Sequence, residues 1–204
     1  MNVLHAFPLF SIQHGGGSCD LLYKLVKAQH KAGLKPSVYC GDFKYDDELA
    51  ASAKGVPFIV DKSRLHSSGF SLMFGLRASL EKNRESIDIV HMHAFRTYQN
   101  IVLYKFCKKY DIPYVIDAHG AVPYAKNKRW LKKIFDLVIG RKILREASYV
   151  IAETNVGVDE YVECEPLIEA EKIVILSPPF DVDEFKELPE FGNFRRSIGL
   201  NETV

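Results

Sequence analysis

The sequence predicts an α/β protein with a Rossmann-like, three-layer α/β/α architecture and a mostly parallel sheet of about seven strands. Two patterns predict this fold. Short apolar runs rich in β-branched residues recur along the chain, and each is bounded by Gly, Pro or polar residues, as in buried parallel strands. Longer segments with helical spacing of apolar residues lie between most of these runs. Alternating strands and helices favour right-handed crossovers and helices on both faces of the sheet.

The predicted strands are residues 3–7, 37–40, 57–60, 87–92, 113–117, 149–152 and 172–176. The predicted helices are residues 18–32, 71–84, 97–110 and 128–147. The first helix would begin at the N-cap Ser18 and end before Gly33, because Ser satisfies free helical N–H groups and Gly adopts the left-handed conformation that ends helices. We interpret residues 1–180 as one domain built from these elements.

Residues 181–204 have a different character. Ser177-Pro178-Pro179 ends the strand pattern, an acidic polar stretch follows, and residues 195–200 resemble the start of a helix. Clusters of proline and glycine are typical of linkers. The interpretation is a linker followed by the first residues of a domain that this chain lacks.

Composition narrows the classes of partner and compartment. The 204 residues carry 27 Lys and Arg against 26 Asp and Glu, a formal net charge of +1, so nothing indicates a nucleic-acid partner. No apolar run approaches the roughly 20 residues that span a bilayer. The N-terminal segment lacks the basic n-region of a signal peptide. Four widely spaced cysteines without a CxxC motif indicate reduced thiols. The predicted location is the cytoplasm.

A glycine triplet, Gly15, Gly16 and Gly17, lies between the first predicted strand and its helix. Glycine allows the backbone to approach a ligand closely, and the N–H groups at a helix start favour an anion. A phosphate or sugar contact and a flexible turn are both open at this point. The triplet lacks the GxGxxG pattern, and no clear ribose-binding acid follows the second strand, so a nicotinamide cofactor is not expected.

Histidines close two further strands. His91 and His93 share one face of the fourth strand because side chains alternate, and Asp117 and His119 close the fifth strand before Gly120. If the strand order is 3-2-1-4-5, the ends of strands one, four and five are neighbours, so the glycine triplet converges with His93 and His119. A histidine there could hydrogen-bond a hydroxyl or neutralise a developing charge. A hydrogen-bonded role in the core is the alternative for each histidine.

The same histidines suggest a metal-dependent hydrolase that uses His91, His93 and His119. Zinc sites need three or four ligands. No further ligand follows the HxH pattern closely, and Arg96 would oppose a cation. A metal site is therefore not expected, and the hydrolase stays a third alternative.

Residues 126–145 combine eight cationic side chains with one acid, Asp136, and an apolar side. A basic amphipathic helix can lie on an anionic membrane surface, with Arg129, Lys132 and Lys133 as the contact candidates. The alternative, which we favour, is a packed helix whose apolar stripe is core and whose cationic face is solvated.

Several segments together resemble glycosyltransferase family 4. They are the glycine-rich loop before the first helix and, in order, IDIVHMH (87–93), IPYVIDAHG (112–120), ASYVIA (147–152) and KIVILSPPFDVDEF (172–185). The resemblance covers essentially the whole chain and depends on the order and spacing of these motifs. It implies the N-terminal, acceptor-side domain of a GT-B enzyme, in which two Rossmann-like domains flank a catalytic cleft.

The resemblance also implies a retaining hexosyltransferase that moves a sugar from a nucleotide-sugar to a glycan or lipid-linked acceptor, as in polysaccharide biosynthesis, without a cofactor or an essential metal. By position, His119 matches the family histidine near the transferred sugar. The glycine triplet matches the loop that approaches the donor diphosphate and the acceptor, and His93 joins it as a substrate-binding candidate. Thr154 matches a frequent Ser or Thr, with a helix N-cap as its alternative role. Lipid-linked acceptors would add peripheral contact with the inner face of the membrane.

The sequence departs from the family pattern at Ser177-Pro178-Pro179-Phe180, where Pro-Asn-Gly is more usual. The family's basic phosphate-binding residues and spaced glutamates belong to the second domain, so we expect this chain alone to be inactive. The alternative function is a stand-alone, non-catalytic carbohydrate- or partner-binding module of the same fold.

Overall fold

The computed structural model describes residues 1–67, 70–123, 129–180 and 182–200. Its strands are β1 (Asn2–Leu9), β2 (Lys35–Gly41), β3 (Phe58–Asp61), β4 (Ser63–Ser67), β5 (Phe70–Met73), β6 (Ile89–His93), β7 (Tyr114–Asp117), β8 (Tyr149–Ala152) and β9 (Ile173–Ile175). Its α-helices are α1 (Ile12–Lys31), α2 (Asp47–Ser52), α3 (Leu76–Asn83), α4 (Tyr98–Tyr110), α5 (Arg129–Phe135), α6 (Arg141–Arg145), α7 (Asn155–Cys164) and α8 (Asn193–Ser197). A π-helical turn spans Asp136–Gly140, and 3-10 turns span Arg84–Ser86, Ala170–Lys172 and Val182–Phe185.

Seven strands form one parallel sheet in the order β3-β2-β1-β6-β7-β8-β9. All seven predicted strands are confirmed, and so is the predicted order of the first five, because β1, β6 and β7 are neighbours. The remaining strands, β4 and β5, form a separate antiparallel pair that was not predicted. With helices flanking the sheet, the domain is Rossmann-like.

The two faces of the central strands are chemically different. Side chains of β1, β6 and β7 in the larger apolar cluster include Leu4, Ala6, Val90, Met92 and Ile116. Because side chains alternate along a strand, His5, His91 and His93 lie on the opposite face. Helix α1 covers that face, since Gln29 of α1 hydrogen-bonds His5. Polar rings therefore occupy a place where a parallel sheet usually packs aliphatic side chains.

The predicted N-cap Ser18 is wrong and a short helical run precedes it, although the main helical run does begin close to the predicted start, after Gly16. Helix α1 begins at Ile12, with Ser11 at the N-cap position, and the Gly15 N–H donates to the Ser11 carbonyl over 2.6 Å. The helix is interrupted at Gly16, whose φ of 59° and ψ of −148° suit glycine and strain other residues. The glycine triplet is thus a kink inside the helical segment, with no free turn before it.

The predicted helix over residues 71–84 is wrong in its first part, because Phe70–Met73 form β5 and α3 begins only at Leu76. Asp61 accounts for this. Its carboxylate accepts hydrogen bonds from the Tyr39 hydroxyl at 2.6 Å and from the Gly75 N–H at 2.7 Å. The carboxylate fixes the chain just before α3, and its partners are too distant in sequence for periodicity to reveal them.

The predicted long basic helix is confirmed from Arg129 to Arg145 as α5, the π-helical turn and α6, whereas Lys126 and Lys128 lie outside the described residues. Its apolar stripe, however, is not all core, so the favoured packing interpretation is wrong for five side chains. These exposed residues are Trp130 (65%), Leu131 (43%), Ile134 (51%), Leu137 (75%) and Val138 (66%). The core instead receives Ile143 and Leu144, which are buried. The segment therefore carries two apolar faces.

The four cysteines are buried and unpaired. Burial raises the pKa of the Cys19, Cys40 and Cys107 thiols to about 12 and that of Cys164 to about 11. None of them is therefore a thiolate nucleophile near neutral pH. Within the described residues, no helix combines the length and the apolar character needed to cross a bilayer.

Candidate active site at the carboxyl edge of the sheet

The candidate site lies where β1, β6, β7 and β8 end. Strand order reverses between β1 and β6, and ligands of open α/β sheets bind beyond the strand ends at such a point. The glycine kink follows β1, His93 ends β6, and His119 and Thr154 follow β7 and β8. The Phe7 ring lies 6.3 Å from the His93 ring and 6.5 Å from the His119 ring, and it also borders Gly15. The sheet thus brings together four of the predicted site positions.

A line of side-chain hydrogen bonds runs along this face of the sheet. His5 Nε2 lies 2.7 Å from Gln29 Oε1, and His5 Nδ1 lies 3.0 Å from His93 Nε2. His93 Nδ1 lies 2.9 Å from His119 Nε2. At the far end, His119 Nδ1 lies 3.0 Å from Glu153 Oε1. Sequence reasoning missed His5, Gln29 and Glu153, because His5 and His93 are 88 residues apart and no local pattern links them.

Burial controls the charge of this line. His5 and His93 have no solvent exposure, and His91 has almost none. Burial lowers the pKa of His5 to about 4, an effect that the hydrogen bond to Gln29 partly opposes. Burial, and then the neighbouring histidines, lower the pKa of His91 and His93 well below the usual value. These three imidazoles are therefore neutral at pH 7.

His93 was predicted to bind substrate, and the structure places it behind His119. Both of its ring nitrogens are hydrogen-bonded within the protein. The His91 ring stacks on it at a centroid distance of 4.0 Å, and among the described residues His91 Nε2 has no hydrogen-bond partner. His93 can therefore influence a ligand only through His119.

His119 lies at the sheet edge, as predicted. His119 and Gly120 both have positive φ, at 47° and 69°, so the chain turns sharply after β7. The His119 side chain is only 5% exposed, and its Nδ1 also lies 3.2 Å from Asp117 Oδ1. Burial raises the pKa of Asp117, and the adjacent His119 opposes that shift. The exposed part of His119 is thus its backbone, while its ring is held among carboxylates.

A small open cavity of about 80 Å³ lies against these residues. Its polar lining comprises Asp117, His119, Glu153, Thr154, Glu160 and Tyr161. Thr154 caps α7, because its side chain accepts from the Gly157 N–H at 3.2 Å. A larger cavity of about 610 Å³, lined by Tyr23, Lys27 and Phe180 among others, shares no lining residue with this one. The cavity at the strand ends therefore holds the carboxylates and His119, although the other cavity has the larger volume.

The three glycines differ in what they require. A Cβ on Gly15 would come within 3.0 Å of Cys19 Cβ and 3.3 Å of the Leu9 carbonyl oxygen, so a larger residue there would require these neighbours to shift. Gly16 needs glycine for its positive φ, and neither Gly16 nor Gly17 has any described atom within 4 Å of an added Cβ. The backbone at Gly16 and Gly17 is consequently open to a ligand.

A buried ion pair holds the loop that follows His119. Arg96 donates from Nε to Asp136 Oδ1 at 2.9 Å and from a terminal nitrogen to Oδ2 at 2.7 Å. The same guanidinium donates to the carbonyls of Ala121 and Val122, at 2.6 and 2.8 Å. Asp136 was visible in the sequence as the lone acid of the basic segment, but its partner was not. The pair ties the ends of β6 and β7 to the π-helical turn.

The contacts of these side chains bear on the metal hypothesis. Potential ligand atoms come within 4.8 Å of one another in two groups, His5 with His91 and His93, and Asp117 with His119 and Glu153. Both ring nitrogens of His93 and of His119 already take part in hydrogen bonds inside the protein. A cation bound at either group would have to replace those bonds.

Residues 15–184 match the model of Glycosyltransferase Family 4. The chain belongs to glycosyltransferase family 4. The matched range begins at the glycine kink that follows β1 and extends beyond β9, so it includes the ends of β6, β7 and β8. No curated protein matched the sequence.

Solved structures share the fold of this family 4 domain. HepE from Anabaena, solved with UDP-glucose, gives a TM-score of 0.70 at 16% identity over 98% of this chain and 50% of HepE. A glycosyltransferase from Rickettsia africae gives 0.66 at 18% identity over 100% and 50%. A UDP-GlcNAc 2-epimerase from Methanocaldococcus jannaschii gives 0.56 at 15% over 86% and 45%. The chain thus spans about half the length of these proteins, and its fold is one Rossmann-like half of the GT-B architecture.

The buried histidines predict acid sensitivity. In the unfolded chain, His5 becomes protonated below about pH 6.5, the ordinary pKa of His. In the folded chain, it becomes protonated only near pH 4, because burial lowers its pKa. Position 5 therefore leaves the free energy of unfolding unaffected by pH above pH 6.5. Between pH 6.5 and pH 4 it lowers the free energy of unfolding progressively, because the unfolded chain binds the proton more strongly. Between pH 7 and pH 5 the wild type should lose on the order of 2 kcal/mol more free energy of unfolding than His5→Gln.

Urea unfolding at the two pH values measures this difference. His30→Gln is the matched control, because His30 is exposed and its loss should leave the pH dependence unchanged. Equal acid sensitivity of the wild type and His5→Gln would contradict the account.

Proposed function

We propose that this chain is the acceptor-side half of a retaining glycosyltransferase that moves a hexosyl group from a nucleotide-sugar to a glycan or lipid-linked acceptor. The observation that carries the proposal is the family 4 match over residues 15–184. Solved with UDP-glucose, HepE shares the fold, which supports a nucleotide-sugar as the donor. The polar groups at the strand ends support the same edge of the sheet as the place of reaction.

The cavity chemistry supports an acceptor sugar at this edge. Asp117, Glu153 and Glu160 line the cavity, and carboxylates accept hydrogen bonds from sugar hydroxyls. In the proposal, Thr154 contacts the sugar beside them. Gly15, Gly16 and Gly17 bring the backbone close to the sugar and the donor diphosphate, and His119 stands nearest to the reacting centre.

The same cavity supports the proposal that the chain is inactive alone. A leaving diphosphate develops negative charge that a transferase must stabilise with preorganised donors or cations. The described lining of the cavity includes three carboxylates and His119, with neither Lys nor Arg. In the proposal, the missing positive charge comes from a second Rossmann-like domain, to which residues 181–204 would lead.

A transfer assay tests this proposal. Nucleoside diphosphate release is measured from a panel of nucleotide-sugars, with glycan acceptors, for the 204-residue chain and for a protein in which it continues into a second Rossmann-like domain. The two-domain form should be active. The chain alone should be at least about 10²–10³-fold slower, because the diphosphate loses its stabilising groups.

Variants of the active form locate the site. His119→Ala should lower kcat by about 10²-fold, as expected for loss of a positioned group, while His30→Ala, at an exposed histidine, should leave kcat unchanged. Transfer at full rate by the 204-residue chain would refute the proposal that the second domain is required for activity. Glycan binding with no transfer in either form would favour the non-catalytic module.

We also propose that the exposed face of α5 and the π-helical turn contacts an anionic membrane surface. The second apolar face, formed by Trp130, Ile134 and Leu137 with their neighbours, is exposed. Arg129 and Lys133 are exposed beside it, and Lys132 is half-buried, with its Nζ 3.2 Å from the Pro123 carbonyl oxygen. An apolar face flanked by cations matches a bilayer interface, where the apolar side enters the acyl boundary and the cations meet lipid phosphates. Such contact would bring the site to a lipid-linked acceptor.

Liposome sedimentation tests this contact. Vesicles with anionic lipid should bind the wild-type chain more tightly than neutral vesicles. Lys132→Glu with Lys133→Glu should weaken binding by about 30-fold or more, since each cation near such a surface contributes about 1 kcal/mol. Leu137→Gln should also weaken it. The matched control is Lys31→Glu with Lys54→Glu, two exposed lysines outside this face. The proposal would be refuted if both double variants lost the same affinity for anionic vesicles. It would also be refuted if the wild type bound anionic and neutral vesicles equally.

A further inference from the structure

The line of hydrogen bonds from Gln29 to Glu153 has a direction that its end groups impose. An amide oxygen can only accept a hydrogen bond, and a neutral imidazole has one donor and one acceptor nitrogen. Gln29 Oε1 faces His5 Nε2, so His5 donates from Nε2. Neutral His5 must then accept at Nδ1, which faces His93 Nε2.

The same reasoning continues to His119. His93 donates from Nε2 to His5, so neutral His93 accepts at Nδ1. That nitrogen faces His119 Nε2, at 2.9 Å, so His119 carries a proton on Nε2. A proton cannot be added to the buried part of the line, because burial lowers the pKa of both His5 and His93.

The other end of the line also demands a donor. His119 Nδ1 lies 3.0 Å from Glu153 Oε1 and 3.2 Å from Asp117 Oδ1. Carboxylates accept hydrogen bonds and do not donate them. His119 Nδ1 must therefore carry a proton as well, and the ring then has one proton more than a neutral imidazole.

We infer that Gln29, His5 and His93 act as positioning residues that keep His119 as a doubly protonated imidazolium between Asp117 and Glu153. With both nitrogens protonated and hydrogen-bonded, His119 has no lone pair with which to act as a general base. Its contribution to the candidate site is a fixed positive charge. This assigns a mode of action to His119 and to three residues behind it.

The groups around His119 are consistent with a cation at this place. Carboxylates from two elements face it, Asp117 of β7 and Glu153 after β8, and Glu160 of α7 lines the same cavity. From β6 it meets His93, which is neutral, and from β1 it meets the apolar edge of Phe7. A single imidazolium offsets part of the negative charge of these carboxylates, which otherwise would repel a phosphate-bearing ligand.

Nitrogen-15 NMR of the histidine side chains in the 204-residue chain tests the inference at pH 7. Nδ1 and Nε2 of His119 should both show protonated shifts. His5 and His93 should be neutral, with the proton on Nε2 in each. A neutral His119 in the wild type would overturn the inference without need of any variant.

Two substitutions at half-buried Gln29 test whether the donor and acceptor roles along the hydrogen-bonded line set the protonation of His119, independently of side-chain packing. Gln29→Glu keeps an acceptor, so His119 should remain doubly protonated. Gln29→Lys supplies only donors, which reverses every bond in the line and should leave His119 neutral, with its one proton on Nδ1. Ala28→Lys adds the same charge at the neighbouring exposed position and should change nothing. A doubly protonated His119 in Gln29→Lys, or a neutral one in Ala28→Lys, would refute the inference.

This experiment requires neither donor nor acceptor sugar. Its failure is therefore distinguishable from failure of the proposed transferase function. A chain that transfers sugar with neutral His119 would refute the inference alone, and an inactive assembly with doubly protonated His119 would refute the function alone.

Discussion

Parallel pairing of β1, β6 and β7 places three histidines in hydrogen-bonding distance on one face of the sheet. His5 is in register with His91, and His93 with Asp117. The pairing joins segments that are almost ninety residues apart, and α1 covers the face through Gln29. Every functional feature of the domain depends on this arrangement: which histidines are neutral, where His119 is held, and where carboxylates meet it. Desolvation by the surrounding core keeps the inner rings uncharged.

The Arg96–Asp136 pair holds the outer side of the same site. Both side chains are buried, and the guanidinium also binds the two carbonyls after Gly120. Removing one partner of a buried pair commonly costs about 3–5 kcal/mol, because the other charge stays buried and unpaired. Arg96 therefore joins the carbonyls of Ala121 and Val122 to Asp136 of the π-helical turn. That turn also carries two side chains of the exposed apolar face, Leu137 and Val138, so one element joins the candidate site to the proposed membrane surface.

Much of the fold followed from local pattern. Seven β-branched runs became the seven parallel strands, and the position of His119 at the sheet edge followed from strand order and Gly120. The misses share a physical cause. The start of α3 lies beside a hydrogen bond from the Gly75 N–H to Asp61, and the contacts of His119 continue through His93 to His5 and Gln29. These are long-range polar contacts, which leave no periodic signal. The second apolar face of α5 was hidden because amphipathy does not show which side of a helix packs.

In our proposal, the sugar reacts at the carboxyl edge of this sheet. The most direct measurement is a crystal structure of the protein, joined to a second Rossmann-like domain, with a non-reactive nucleotide-sugar analogue. We expect the transferred sugar of the analogue to lie at the strand ends, beside Gly16, Gly17 and the backbone of His119. A sugar bound instead in the larger cavity at Lys27, with the strand ends empty, would contradict it.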